Sequence, residues 1–262
     1  MAKKFTSFLG NERPILTTMV IANTQEAVIE KMKKAINIGT DAFCFQMEGL
    51  ETKYKTDSCI KEIVDCADGR PIYITNYRNG NPQLKEKPCD DELLAEQLLM
   101  ALECGAKLID IRGDMFCPCE GELTMDKDAV EKQMKFIKQV KDKGGEVLMS
   151  SHVLKFTPLE KTLQIAYAQQ ARGTDIVKIV TAATSEKEVI ENFEITSRLG
   201  RVLDVPYLFL CGGSHRLKHR LLGPAIANSI YLTTTEYAED FTQPPLDMAK
   251  AVLAAAGYTD LP

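Results

Sequence analysis

The sequence predicts a single-domain (β/α)8 barrel that spans residues 1–262. Three observations predict this fold. The length of 262 residues is close to the roughly 250 that one such barrel needs. Eight short apolar runs occur along the chain, as expected for parallel strands that are covered on both faces. Segments with helical periodicity separate the runs, so strand and helix alternate from one end of the chain to the other.

The candidate strands are short, and several lack polar alternation. In chain order they are Ile15–Ile21, Ala42–Met47, Ile72–Asn76, Leu108–Ile111, Glu146–Ser151, Asp175–Val180, Tyr207–Cys211 and Ile230–Leu232. An open doubly wound sheet with some strands misassigned is the alternative architecture. No linker rich in Pro, Gly or Ser divides the chain, which favours one closed barrel.

Helix signals lie between these runs. Gln25–Ile38 follows a cap signal at Asn23-Thr24 and precedes Gly39, a residue typical of helix ends. Further helices are predicted at Glu92–Cys104, Lys127–Lys143, Leu159–Ala171, Glu186–Leu199 and Leu246–Ala255, with weaker signals at Cys59–Cys66 and Leu217–Leu222.

The composition excludes several classes of protein. The formal net charge is −5, and no basic domain or tail is present, which argues against nucleic acid as a partner. No apolar stretch is long enough to span a bilayer, and the first residues lack the pattern of a secretory signal. We therefore expect a cytoplasmic protein without a membrane partner, whose eight cysteines are reduced thiols.

Lys178 is the sharpest functional signal in the chain. It lies in the run Asp175-Ile-Val-Lys-Ile-Val180, where a charged ammonium is costly unless it is paired or neutral. A neutral lysine amine attacks a ketone and forms an imine, so Lys178 is a candidate catalytic residue. The alternative is a structural lysine that pairs with a carboxylate such as Asp110 or Asp175.

Other polar residues follow the predicted strands, at the end of the barrel where active sites lie. His152, one of three histidines, follows the fifth strand and is a candidate acid and base. Arg220 follows the seventh strand, and its fork of donors suits a substrate carboxylate. A hydrogen-bonded loop histidine and a solvated arginine are the alternative interpretations. Further polar side chains expected at this end are Arg78, Arg112, Asp114, His215 and His219.

The sequence carries no strong motif for a metal or for a phosphate-bearing cofactor. Cys117-Pro-Cys119 lacks a second pair of ligands, so ordinary loop thiols are favoured over a metal or redox site. Gly212-Gly213 resembles a phosphate cradle only loosely. Neither a G-x-G-x-x-G motif nor a P-loop is present.

Several segments together resemble the type I 3-dehydroquinate dehydratase family of (β/α)8 enzymes, in order and through nearly the whole chain. Pro71–Arg78 resembles the strand that ends in a substrate-binding arginine. Ser150–Pro158 resembles the histidine segment, and Asp175–Val180 resembles the Schiff-base lysine strand. Cys211–Gly223 resembles the glycine stretch that is followed by a carboxylate-binding arginine. Gln243 falls at the spacing of a substrate-binding glutamine.

The resemblance implies a role for each of these residues. Lys178 would form an imine with a carboxylated cyclic ketone. His152 would remove a proton from the adjacent carbon and then protonate the departing hydroxyl. Arg220 and Gln243 would hold the carboxylate, and Arg78 would contact the substrate. The resemblance also implies a homodimer that needs no cofactor.

The sequence departs from the family at groups that bind substrate. Cys44-Phe-Gln46-Met-Glu48 stands in place of the family's Glu-x-Arg-x-Asp, and Glu239 stands in place of a serine. We assign Gln46, Glu48 and Glu239 to substrate binding at these altered positions. The changes indicate that substrate recognition is rebuilt around a retained lysine and histidine.

Further departures affect the surroundings of the histidine and of the carboxylate-binding arginine. The family's histidine-orienting glutamate is replaced by Pro82, and the candidate substitutes are Glu86, Glu48 and Asp110. His219 replaces the serine before the carboxylate-binding arginine. Arg112 stands where an acidic residue is common in the family.

Three functions therefore stay open. The first is a hydro-lyase that converts 3-dehydroquinate to 3-dehydroshikimate, or dehydrates a related keto-acid, through an imine. The second is a catalytically silent homologue that binds a shikimate-like ligand or a protein partner. The third is a Schiff-base aldolase, which ranks below the others because the chain offers little for a substrate phosphate.

Overall fold

The structure, a computed structural model, describes residues 4–78, 90–227, 229–237 and 241–262. The predicted positions Pro82, Glu86 and Glu239 lie outside the described residues. Eight strands form one sheet: β1 (Ile15–Val20), β2 (Ala42–Gln46), β3 (Ile72–Thr75), β4 (Leu108–Arg112), β5 (Glu146–His152), β6 (Ile176–Ala182), β7 (Tyr207–Gly212) and β8 (Ile230–Thr233).

The strand order β7-β6-β5-β4-β3-β2-β1-β8 runs around the sheet, and the neighbouring strands are parallel. The backbone N–H and the hydroxyl of Ser229 both donate to the Tyr207 carbonyl at 3.0 Å. These bonds bring the start of β8 to the start of β7. The predicted (β/α)8 barrel is confirmed.

A helix follows each strand. The helices are α1 (Gln25–Ile38), α2 (Asp57–Asp65), α3 (Asp91–Glu103), α4 (Lys127–Asp142), α5 (Leu159–Ala171), α6 (Glu186–Val202), α7 (Arg216–Ala227) and α8 (Leu246–Ala255). Short 3-10 turns at Met47–Gly49 and Thr52–Tyr54 precede α2. No helix in the described part of the chain is long and apolar enough to cross a membrane.

Local chemistry explains where α1 starts and stops. The Thr24 hydroxyl accepts a hydrogen bond from the Ala27 amide, and Gly39 adopts the left-handed conformation with φ 99°. The weak signal at Leu217–Leu222 underestimates α7, which has 12 residues and contains Pro224. A proline there disfavours helix on propensity alone, so packing between the neighbouring helices and strands decides this segment.

Alternation along β6 places Lys178 inside the barrel. Ile176 and Val180 belong to the interior cluster, whereas Val177 and Ile179 pack against the surrounding helices. Lys178 has the same parity as the interior pair, so its side chain extends into the barrel. Pairing with β5 sets Ser150 beside Lys178 and His152 beside Val180, one layer nearer the carboxyl ends of the strands.

Candidate active site

Lys178 is buried, with 5% of its surface exposed, and three groups surround its amine. Nζ lies 2.9 Å from the Tyr73 hydroxyl, 2.8 Å from the Tyr77 hydroxyl and 3.0 Å from Oδ2 of Asp110. An ammonium has three N–H donors, and these three acceptors use all of them. The pairing of Lys178 with Asp110 that the sequence offered as an alternative is therefore present.

Asp110 is the counter-ion at the centre of this cluster. Its Oδ2 accepts hydrogen bonds from Tyr73, from Tyr77 at 2.7 Å and from Lys178, while Oδ1 accepts one from Ser150 at 2.5 Å. Burial alone would raise the pKa of Asp110, but the Lys178 charge and the Ser150 and Tyr73 hydrogen bonds lower it. Burial and the Asp110 charge raise the pKa of both tyrosines, so the phenols stay protonated.

His152 lies beside the lysine cluster and is held by Glu122. Nδ1 of His152 lies 2.6 Å from Oε2 of Glu122, and the His152 backbone N–H donates to the same oxygen at 3.2 Å. The other Glu122 oxygen pairs with Arg112 at 2.8 Å. The Tyr77 ring packs edge-on against the imidazole, with centroids 5.3 Å apart. Tyr77 therefore contacts both predicted catalytic residues.

The predicted substitutes for the histidine-orienting glutamate do not hold His152. Glu48 accepts hydrogen bonds from Thr75 at 2.9 and 3.0 Å, and Asp110 is taken up by the lysine cluster. The expectation for these two residues is wrong, because Glu48, in the 3-10 turn after β2, and Asp110, on β4, face other partners. Glu86 lies outside the described residues. Sequence reasoning missed Glu122, which lies in the loop between β4 and α4 and carries no periodic signal.

Arg220 and Gln243 lie together, as their predicted shared role requires. Arg220 is buried, its Nε donates to the Cys211 carbonyl, and one Nη donates to Oε1 of Gln243 at 3.1 Å. Within residues 4–78, 90–227, 229–237 and 241–262, no carboxylate forms an ion pair with Arg220. Burial and the nearby Arg216 lower the pKa of Arg220 to about 10. A buried guanidinium that no described carboxylate pairs with favours an anionic ligand.

Gln46 and Gln243 line a cavity of about 390 Å³ at the carboxyl ends of β1, β2 and β8. Lys31 and Phe241 also line this cavity. The amide of Gln46 donates to Glu48 at 3.3 Å. Burial raises the pKa of Glu48, which favours the protonated acid. Gln46 thus lines a cavity at the barrel mouth, and the predicted substrate contacts of Gln46, Glu48 and Glu239 stay predictions.

Arg78 is the predicted substrate residue whose donors are already occupied. Its Nε and Nη2 donate to Asp91 at 3.0 and 2.6 Å, and Nη1 donates to both oxygens of Asp114 at 3.1 and 3.2 Å. In this arrangement Arg78 ties the end of β3 to the start of α3 and to the loop after β4. A substrate contact would have to displace one of these carboxylates.

His219 does not lie at the barrel mouth, and the expectation that it does is wrong. The imidazole is fully buried between α6 and α7, where Nε2 lies 2.8 Å from the Thr196 hydroxyl and the ring contacts Phe193 and Phe209. Burial, with a smaller effect of Arg220, lowers the pKa of His219 to about 4. His219 is therefore a neutral packing residue. His215 is half-buried beside Ser214.

Cys117 and Cys119 are free thiols, half-buried and exposed respectively. Burial raises the pKa of Cys119, and its backbone N–H donates to Asp114 at 3.1 Å. Across the described ranges, no group of three or more His, Cys, Asp or Glu side chains is arranged to hold a metal ion.

The fold and the site define a (β/α)8 protein with a buried lysine on the sixth strand and a carboxylate-held histidine on the fifth. The family model for type I 3-dehydroquinase matches residues 16–260. The chain belongs to the type I 3-dehydroquinase family.

Individual relatives are distant in sequence. A 3-dehydroquinate dehydratase of Geobacillus sp. (strain WCH70) is 21% identical over 253 residues, which cover 94% of this chain and 91% of that protein. The crystal structure of 3-dehydroquinate dehydratase from Geobacillus kaustophilus HTA426 is 15% identical with a TM-score of 0.79, covering 97% of this chain and 98% of that one.

A second solved structure is similar to the same extent. It is a type I 3-dehydroquinate dehydratase from Clostridium difficile with covalently modified comenic acid, 16% identical with a TM-score of 0.80. The alignment covers 97% of this chain and 98% of that chain. At this level of identity the solved structures support the fold alone, and membership of the family rests on the match to the family model.

Proposed function

We propose that this protein is a hydro-lyase that eliminates water from a carboxylated cyclic ketone through an imine at Lys178. The observation that carries the proposal is the convergence of Lys178, Tyr77 and His152 at the carboxyl ends of the strands. A buried amine beside an imidazole supplies the nucleophile and the acid–base group that this elimination needs. The family membership supports the same class of reaction.

The first step adds the amine to the ketone. Lys178 gives up one of its three hydrogen bonds, its lone pair attacks the carbonyl carbon, and two of the ammonium hydrogens are transferred in turn to the former ketone oxygen. Loss of water from the resulting carbinolamine forms the carbon–nitrogen double bond. Asp110, 3.0 Å from Nζ, stabilises the positive charge of the iminium.

The elimination follows on the imine. His152 takes a proton from the carbon next to the iminium, and the electron pair moves into the iminium. The pair then returns to expel a hydroxyl from the next carbon, which leaves as water with the proton from His152. Hydrolysis of the imine consumes one water, releases the unsaturated keto-acid and restores Lys178.

Arg220 and Gln243 support a carboxylate on the substrate. The buried guanidinium keeps donors that no described carboxylate satisfies. The altered groups at Cys44, Gln46 and Glu239 fall where the family binds other parts of its substrate, so 3-dehydroquinate is the first compound to test and related cyclic keto-acids are the next.

Borohydride trapping tests the imine directly. Sodium borohydride added with 3-dehydroquinate should leave a reduced adduct on the peptide that contains Lys178, while the exposed Lys155 stays unmodified. Lys178→Met should yield no adduct. His152→Asn should still form the adduct without releasing the unsaturated product. Absence of an adduct with 3-dehydroquinate and with every related cyclic keto-acid would refute the proposal.

A catalytically silent binding protein is the second candidate, favoured by the full set of hydrogen bonds on the Lys178 amine. Such a protein would bind a shikimate-like ligand equally well in Lys178→Met and would release no product. Product analysis also separates the third candidate, since an aldolase cleaves a carbon–carbon bond and a dehydratase releases water.

We further propose a single-domain homodimer in the cytoplasm that acts without a cofactor. The free thiols among the described cysteines support a reducing compartment, and one sheet contains all the described strands. Sedimentation velocity would measure the oligomeric state, and full turnover after exhaustive chelation and dialysis would support independence of metals and of diffusible cofactors.

A further inference from the structure

The carboxylate of Glu122 contacts one residue on β4 and one on β5. One carboxylate oxygen, Oε2, meets both the ring Nδ1 and the backbone N–H of His152, at 2.6 and 3.2 Å. The other oxygen, Oε1, pairs with Nη2 of Arg112 at 2.8 Å. The first contact fixes the imidazole relative to its own strand, and the second fixes the carboxylate relative to the neighbouring strand.

From this geometry we propose that Glu122, itself held by Arg112, is the positioning residue that sets the tautomer and orientation of His152. The proposal rests on the proposed function, in which His152 is the acid and base. Glu122 acts through His152 and makes no contact with the substrate in this role.

The ionised carboxylate dictates which ring nitrogen carries hydrogen. Burial would raise the pKa of Glu122, but the His152 contact and the Arg112 charge lower it, so the group is a carboxylate that only accepts. Nδ1 must then be the N–H donor, and Nε2 of the neutral ring is left with the free lone pair. That lone pair is the base that the elimination needs.

The backbone of the loop between β4 and α4 holds Glu122 in a constrained conformation. Glu122 adopts the left-handed conformation with φ 53°, next to Gly121 with φ 78°. A left-handed residue other than glycine costs about 1 kcal/mol or more and persists where its surroundings hold it. The Ser151 hydroxyl donates to the Glu122 carbonyl at 2.8 Å, and the Glu122 N–H donates to the Cys119 carbonyl at 3.2 Å.

Arg112 links this loop to the rest of the site. Its side chain is 12% exposed, its Nε lies 3.2 Å from Asp114, and its guanidinium lies 5.8 Å from the centre of the Tyr77 ring. This arrangement links two departures from the family pattern: Pro82 replaces a glutamate, and Arg112 replaces an acid. A cation on β4 recruits an acid from the loop after β4, where the family takes its acid from the loop after β3.

Glu122→Gln tests the assignment while keeping the size of the side chain. The amide oxygen of the glutamine can still accept a hydrogen bond from His152. The amide NH2 group would then face the Arg112 guanidinium, so two donors would meet. We expect kcat for dehydration of the keto-acid substrate to fall about 10–100-fold, as for other groups that orient a functional histidine. KM should stay within about twofold of its value in the unaltered protein. Glu122→Asp keeps the charge and should recover part of the loss.

Nitrogen NMR of the imidazoles provides a readout that needs no turnover. The protein has three histidines, so assignment by His215→Gln and His219→Gln is direct. In the unaltered protein, His152 should show the form with hydrogen on Nδ1, and Glu122→Gln should shift it toward the form with hydrogen on Nε2. Glu120→Gln is the matched control, because Glu120 lies two residues away, is exposed and pairs with Lys155.

The outcomes separate this proposal from the proposed function. If the protein turns over no ketone at all, the proposed function fails, and the imidazole spectrum alone decides the role of Glu122. An unchanged His152 tautomer in both Glu122→Gln and Glu122→Asp, or a kcat equal to that of Glu120→Gln, would overturn the assignment. Thermal unfolding of each variant shows whether a loss of rate reflects a loss of fold.

Discussion

The hydroxyl of Tyr77 lies 2.8 Å from the amine of Lys178 and is the partner of that amine nearest the barrel mouth. The other two partners, Tyr73 and Asp110, are fully or almost fully buried, whereas Tyr77 is half-buried and its ring contacts His152. A ketone that approaches Lys178 from the mouth therefore meets Tyr77 first. We expect the displaced hydroxyl to stay within reach of the oxygen of a carbinolamine formed at Lys178.

Tyr77→Phe should slow imine formation. The variant keeps the ring against His152 but removes the hydroxyl that, in the proposed mechanism, would pass a proton to the departing carbinolamine oxygen. We expect at least a tenfold slower appearance of the borohydride-trapped adduct, within the range typical of acid catalysis. Because the raised pKa keeps the phenol protonated, the loss should be constant from about pH 5 to about pH 9.

Tyr73→Phe is the matched control for Tyr77→Phe. It removes a hydroxyl that also contacts Lys178 and Asp110 but lies deeper in the barrel. Equal losses in the two variants would mean that the phenols only support the ion pair. A loss confined to Tyr77→Phe would support proton transfer.

The Lys178–Asp110 pair predicts a pH-dependent loss of stability in Lys178→Met. Removing one partner of a buried ion pair typically costs about 3–5 kcal/mol, because the remaining charge is buried without compensation. Without the lysine charge, only effects such as the Ser150 and Tyr73 hydrogen bonds oppose burial, so the pKa of Asp110 should rise and the folded state should bind a proton that the unfolded state releases. The deficit should be largest near pH 7 and shrink toward about pH 4.

Urea unfolding of the single and double variants measures this coupling. Lys178→Met/Asp110→Asn should recover most of the stability that Lys178→Met loses at pH 7, since no buried charge remains. A double variant no more stable than Lys178→Met would show that the loss comes from packing around the methionine.

The sequence predicts this fold well because parallel strands and their covering helices leave local patterns. Gln25–Ile38 was bounded correctly by a threonine cap and a glycine stop, which are short-range signals. Lys178 stood out for a similar reason, since a charged residue in an apolar strand is visible without any neighbour. The resemblance gives Arg220 and Gln243 a shared role, and the structure places them in hydrogen-bond contact.

The partners of the two catalytic candidates were not visible in the sequence. Tyr73 and Tyr77 converge on Lys178 only through the register of β3, β4, β5 and β6, which no single segment encodes. Glu122 contacts His152 from an irregular loop, where no periodic pattern predicts which way a side chain points. His219 was misplaced because the helix face it occupies depends on the full extent of α7.

Arg220→Met should weaken binding of the substrate carboxylate. A hydrogen bond to a charged group contributes about 1.5–3 kcal/mol, so KM should rise about 10–100-fold. Lys218→Met is the control, since Lys218 lies on the same helix but is exposed and pairs with Glu186. An analogue without the carboxylate should bind the unaltered protein and Arg220→Met equally, and a large difference with this analogue would contradict the assignment.

The buried His219 predicts a contribution to acid unfolding. Its pKa is lowered from 6.5 to about 4 by burial, so between these values the unfolded chain binds a proton that the folded protein does not. The free energy of unfolding therefore falls as the pH drops through this window. At about 1.4 kcal/mol per pH unit, the loss from this residue amounts to about 3 kcal/mol.

His219→Gln should flatten this dependence. The variant removes the proton-binding group while a polar side chain remains near Thr196, whose hydroxyl lies 2.8 Å from Nε2 of His219. His215→Gln is the control, because His215 is half-buried in the loop before α7 and contacts Ser214. Urea unfolding at half-unit intervals measures the slope in each variant. If the slope in His219→Gln equals that of the unaltered protein, the acid sensitivity comes from the carboxylates instead. Asp110 is then the first to examine, because its lowered pKa also makes the folded state lose stability in acid.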